Sequence, residues 1–213
     1  NNWERPMYFA VTVGDDSYLG MTDHFELTGM AYQIVPKGVK GAGPQVNTKE
    51  MYENMMTKFR WGNVSDPKVY LDENSLRMCR THRLMFAQLV TALYNEGDSV
   101  KALKVLDFAE EKLPGSTVRH DYVSTTLAEY YYKLGEYQKG NAIMEAVAND
   151  CVENLDWYYS LRSGQRASVT NRIGHNIAVL GQILRICDQE GQKSMMDKYL
   201  PVYMKYTQKA ELN

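Results

Sequence analysis

Proline is scarce in this chain, six in 213 residues, and cysteine scarcer at three. No apolar run approaches the roughly 18 residues that a membrane-spanning helix needs. The cysteines, Cys79, Cys151 and Cys187, have no CxxC spacing, so neither a zinc site nor a redox pair can be read from them. They read as buried thiols, with one disulfide left open. Charge of one sign is also lacking. A formal net charge of -2 and no run of like charge leave no footprint for nucleic acid or an anionic membrane surface. The N-terminus has neither the basic nor the apolar region of a signal peptide, and the chain is expected to be soluble as given. It begins on Asn1-Asn2-Trp3 without Met, which suggests a processed product or an excised piece.

Chemistry-bearing patterns are equally thin. His24, His82, His120 and His175 form no HExxH pair and no nucleophile motif, so no catalytic residue, metal ligand or cofactor is assigned. His120 reads as exposed or capping, and His175 as a partly buried neighbour of a helical core. Asp15-Asp16 reads as a turn rather than a metal-binding acidic pair. Gly41-Ala42-Gly43-Pro44 reads as a loop, because no GK[ST] follows it. Asp72-Glu73-Asn74 lacks the ligand alternation of a calcium loop and reads as the cap of a helix beginning near Ser75.

What the chain does have is helical periodicity punctuated by glycine. Met7–Val13 reads as one strand ending at Gly14. Thr22–Val35 places Phe25, Leu27, Met30, Ala31 and Ile34 at roughly helical spacing, which predicts a short amphipathic helix closed by Pro36. The Gly- and Pro-rich stretch 36–48 separates an N-terminal strand-helix-loop appendage, 1–46, from a helical-repeat domain, 47–213. Met51–Trp61 is predicted helical, and breaks follow at Gly97, Pro114-Gly115, Gly135, Ser163-Gly164 and Gly191.

These breaks delimit about three helical hairpins with tetratricopeptide-like spacing. In the first, Phe86, Leu89, Val90 and Leu93 fill the first helix, Ala102 and Leu106 the second, and Pro114 closes it. The second has Ser124, Leu127, Ala128 and Tyr131, a turn at Gly135, then Gly140 and Met144, with the helix running on toward Trp157. The third has Leu180, Ile183, Leu184 and Cys187, a turn at Gly191, then Met196 and Leu200. Successive copies start 38 and 56 residues apart, against a usual period of about 34, so the array is irregular and the N-terminal segment is free to cap its open end. The fold class is thus mainly α.

Spacing along these helices nominates Tyr94, Asn95, Tyr122, Glu129, Tyr132, Lys133, Arg185 and Asp188 as the lining of a groove suited to protein, peptide or glycan. Tyr131 is expected in the core. Ala87 and Thr91 stand where repeats that clamp a carboxylate tail carry Lys and Asn, which disfavours that mode.

The runs Arg5-Pro6-Met7-Tyr8-Phe9-Ala10, Tyr18-Leu19-Gly20 and Glu26–Pro36, continuing through Phe59–Asn63 and Val69–Glu73, resemble the soluble C-terminal region of a bacterial membrane-protein family. That family's multi-spanning part is similar to the protein O-mannosyltransferases. The resemblance implies an extracytoplasmic, periplasmic accessory domain of an inner-membrane glycosyltransferase-like protein, with the spanning region of its own parent chain as a partner. It also implies that the catalytic acids lie in that spanning region. The alternative is a free-standing glycan- or peptide-binding helical-repeat protein.

Overall fold

The computed structural model describes residues 3–41 and 43–211, and divides into two compact units, Asn1–Arg119 and His120–Asn213. It is mainly helical, with a small N-terminal sheet. The expected border at 46/47 falls inside the first unit.

The first unit opens with a four-stranded sheet in the order β1-β3-β2-β4, formed by β1 (Tyr8–Ala10), β2 (Phe25–Leu27), β3 (Ala31–Ile34) and β4 (Gln45–Val46). The helix expected over Thr22–Val35 is therefore a β-hairpin preceded by a single 3-10 turn, Thr22–His24. Two-residue alternation decides the matter. Phe25, Leu27, Tyr32 and Ile34 share one face, Glu26 and Gln33 the other, and Gly29 turns the chain at φ 141°. Read across a three-residue turn, that alternation imitates i, i+3 spacing. The apolar face gathers the Phe9, Tyr18, Phe25 and Tyr32 rings, with Phe25 5.1 Å from Tyr18 and 5.5 Å from Tyr32.

Asn47 leads into α1 (Thr48–Glu53), its Oδ1 accepting the Glu50 N–H at 3.1 Å while its Nδ2 donates to Glu26. The helix widens into a π turn, Asn54–Lys58, and stops at extended Phe59, three residues short of the expected end. Met51 and Met55 face inward. Trp61 then stacks on Phe86 at 5.3 Å.

That hairpin pairs α2 (Glu73–Asn95) with α3 (Ser99–Lys112). Asp72 caps α2 by accepting the Ser75 N–H at 2.7 Å, Gly97 turns at φ 83°, and Asp98 caps α3. Phe86, Leu89, Val90, Leu93, Ala102 and Leu106 are all buried, as their spacing predicts.

The second unit holds two hairpins: α4 (Ser124–Lys133) with α5 (Tyr137–Ser160), and α7 (Thr170–Gln189) with α8 (Lys193–Glu211), separated by the short α6 (Ser163–Ala167). Gly135 and Gly191 turn at φ 82° and 68°. Gly140 permits close approach of α4 and α5. A Cβ there would lie 2.5 Å from the buried Tyr132 ring. Gly140→Ala should therefore lower stability by about 1–2 kcal/mol, overpacking outweighing the helix-propensity gain of about 1 kcal/mol. Urea denaturation measures this, and an unchanged midpoint would show that the ring yields freely.

On α8 the expected inward residues Met196 and Leu200 give way to their neighbours. Met195, Tyr199 and Tyr206 are buried, and Leu200 is 39% exposed. The register is set by polar pairs with α5. Tyr199 donates to Asn149 at 2.7 Å, Tyr206 to Asp156, and Lys198 to Glu145. Apolar spacing alone could not reveal a seam whose inner positions are tyrosines bonded to amides and carboxylates.

Candidate functional site

The nominated groove residues divide between the units. Tyr94, half-buried, and Asn95, exposed, end α2 in the first. The other six belong to the second, where α4 and α7 create the more developed surface.

Tyr122 precedes α4 with its ring 54% exposed, and meets the His175 imidazole of α7 edge to face at 5.9 Å. His175 is exposed, not partly buried, because it faces away from the inward line Ile173, Asn176 and Leu180. Further along, Gln182 Nε2 donates to the buried Thr125 hydroxyl at 3.2 Å, and that hydroxyl donates to the Tyr122 carbonyl at 2.7 Å. The two contacts advance together along both helices, so α4 and α7 run parallel here. The next outward side chains in that direction are Glu129 on α4 and Arg185 on α7.

Glu129 pairs with Lys133 at 2.6 Å, and Lys133 Nζ also lies 4.9 Å from the centre of the Tyr130 ring. The carboxylate beside it raises the Lys133 pKa above the ordinary lysine value. Arg185 donates to Gln189 at 3.1 Å and stays exposed, as does Asp188. This face thus presents an aromatic ring, an imidazole, amides and both signs of charge, a set suited to hydrogen bonding and stacking.

Tyr132 does not belong to it. Its side chain is buried between the helices, and its hydroxyl donates to Asn141 Oδ1 at 2.9 Å. Burial, followed by the Cys187 thiol, pushes its pKa far above that of free tyrosine. Three successive tyrosines cannot all be sorted by a 100° step when a neighbouring helix carries a glycine, and Gly140 opens the space into which Tyr132 turns. Tyr131 is in the core as expected, and Tyr130 is buried as well.

The remaining candidates take structural roles. His120 Nδ1 lies 3.2 Å from Ser124 Oγ, and the Asp121 carboxylate accepts the Val123 N–H, both at the entry to α4. Asp15 lies in a 3-10 turn and accepts the Tyr18 N–H through its carbonyl. In the glycine-rich loop the Gly41 and Gly43 N–H groups donate to the Asp23 carboxylate at 2.8 and 3.3 Å, so the chain's own carboxylate occupies the position an anion would take. Ala42 of that run lies outside the described residues. All three cysteines are free and buried, and burial pushes the Cys151 thiol up to about 12. Among the described residues no group of three or more His, Cys, Asp or Glu side chains could hold a metal ion.

Sequence reasoning passed over two groups, Arg83 and Glu110. Arg83 is buried, donating to the carbonyls of Leu113 at 2.9 Å, Val118 at 2.7 Å and Arg119 at 2.9 Å. The signal was present: Cys79, Arg83, Phe86 and Val90 form one buried stripe of α2, and a charge on such a stripe needs partners. Burial drives the carboxyl of Glu110, on α3, up to about 7, against the pull of Arg83.

A family model described as TMEM260-associated domain 2 matches residues 1–54, which span the sheet and α1 and reach into the π turn. That description links the segment to a membrane protein. No curated protein and no solved structure matches the chain. No helix among the described residues is long and apolar enough to cross a membrane.

Proposed function

We propose that this chain is an extracytoplasmic, non-catalytic interaction region of a membrane glycosyltransferase-like protein, whose tetratricopeptide-like hairpins bind acceptor protein or peptide. The observation that carries the reading is the parallel α4–α7 face, where exposed Tyr122 stands against His175 and the outward line continues through Glu129 and Arg185. Rigid aromatic area combined with amide and charged donors favours protein or peptide recognition. The family match to residues 1–54 supports attachment to a membrane protein.

A photo-crosslinking amino acid placed at the exposed Asp188 of the same face in the full-length parent should capture a protein partner. Tyr122→Ala should weaken that capture about thirtyfold, the effect of losing a 2 kcal/mol aromatic anchor. Its thermal stability should stay close to that of the parent, because the ring is half in solvent. Capture that is indifferent to both Tyr122→Ala and Arg185→Glu would remove this face from the proposal. Turnover of an activated sugar by the purified chain would overturn the non-catalytic reading.

A further inference from the structure

A cleft of about 320 Å³ opens in the second unit between α6, the start of α7 and the end of α8, lined by Tyr159, Ser163, Arg166, Thr170, Ile173 and Gly174, with Ala167 and Ala210 completing it. It shares no residue with the α4–α7 candidates. Its volume lies within the range of small-molecule sites.

The floor is the first indication of a ligand. Gly174 sits inside α7, where glycine weakens a helix relative to alanine. The other glycines of the long helices have evident packing reasons: a Cβ at Gly140 would strike Tyr132, and one at Gly181 would lie 3.3 Å from Tyr203. At Gly174 nothing among the described residues lies within 4 Å of the Cβ position. The glycine makes room in the cleft and for no neighbouring side chain.

The charge is the second indication. Arg166 is half-buried, its guanidinium held 5.6 Å from the Tyr159 ring centre, and it has no acidic partner among the described residues. No carboxylate among the described residues lines the cleft. The Tyr159 and Ser163 hydroxyls make no hydrogen bond among the described residues, whereas Thr170 Oγ1 already donates to Ala167 O at 3.1 Å. Lys209 adds positive charge, 5.2 Å from the centre of the same Tyr159 ring. A forked guanidinium with two hydroxyl donors, around an opening lined by no carboxylate among the described residues, matches a group with three acceptor oxygens and negative charge.

We propose that this cleft binds a phosphate monoester, with its phosphoryl oxygens on Arg166, Ser163 and Tyr159 and its compact organic body lying over Gly174. The ester is either a soluble metabolite or the headgroup of a lipid, and the chemistry of recognition is the same. This inference stands apart from the partner-binding face and does not depend on it.

Isothermal titration calorimetry of the 213-residue chain with glycerol phosphate, and co-sedimentation with phosphatidylcholine vesicles with and without phosphatidic acid, test the proposal and separate the two sources. Saturable binding in either arm is expected, with Arg166→Gln weakening it about tenfold or more. Gly174→Ala should raise the melting temperature by about 2 °C, because the helix gains and nothing is struck. The same substitution should weaken binding, an opposition that a purely structural glycine would not produce. Absence of binding in both arms, binding unchanged in Arg166→Gln, or binding intact in a stabilised Gly174→Ala would each overturn the assignment.

Discussion

Arg83→Ala should lower the stability of the first unit by about 3–5 kcal/mol, the range seen when one member of a buried charged network is removed. The guanidinium donates to three main-chain carbonyls, Leu113, Val118 and Arg119, in the segment that leaves α3. The bonds to Leu113 and Val118 are buried, so their carbonyls lose their partner out of reach of solvent. Arg83→Lys keeps the charge, but one ammonium cannot reproduce a planar fork reaching three acceptors, so it should recover less than half of the loss. Urea denaturation followed by tryptophan fluorescence reports this directly, since Trp61 stacks on Phe86 one helical turn from Arg83. A loss below about 1 kcal/mol would mean that the carbonyls rehydrate in place.

Stability should also fall as the pH rises through neutrality, by up to about 2–3 kcal/mol, and Glu110→Gln should abolish most of that fall. Burial holds the Glu110 carboxyl at about 7 in the folded chain, above the ordinary glutamate value of 4.5. Between those two values the folded chain binds more protons than the unfolded one. The contribution is therefore complete below about 4.5, declines as the pH climbs, and is lost above about 7. At pH 8 the Gln variant should be the more stable protein, and at pH 4 the two should converge. Arg83 opposes the shift, so Arg83→Ala should be more damaging at pH 8 than at pH 5, where Glu110 is neutral. Equal losses at both values would show that the two groups are not coupled.

The first two hairpins were legible because three devices agree at each of them. Glycine stands where the chain needs positive φ, apolar residues recur at helical spacing, and small residues such as Ala102, Ala128 and Gly140 mark close approach. Of the N-terminal sheet only β1 was legible, as the strand read over Met7–Val13. Strands of two to four residues carry too few alternations to outvote a helical pattern, and β4 pairs in parallel with β2 across a loop that composition describes only as Gly- and Pro-rich. The exposure of Lys133, Arg185 and Asp188 follows from which way a helix points outward, while the burial of Tyr132 depended on a glycine in the next helix. The Arg166 cleft joins residues more than 40 positions apart, from Tyr159 to Ala210, and no periodicity within one helix brings them together.

The polar seam between α5 and α8 has a mechanical side. Glu145, Asn149 and Asp156 hold Lys198, Tyr199 and Tyr206 at successive levels along the two helix axes. A pull along α8 therefore loads these bonds together, in shear, so they share the force and do not open one after another. A pull perpendicular to the axis would unzip them singly. In a chain tethered at one end and gripped at the other, the last hairpin would resist extension along its length far better than peeling from its tip.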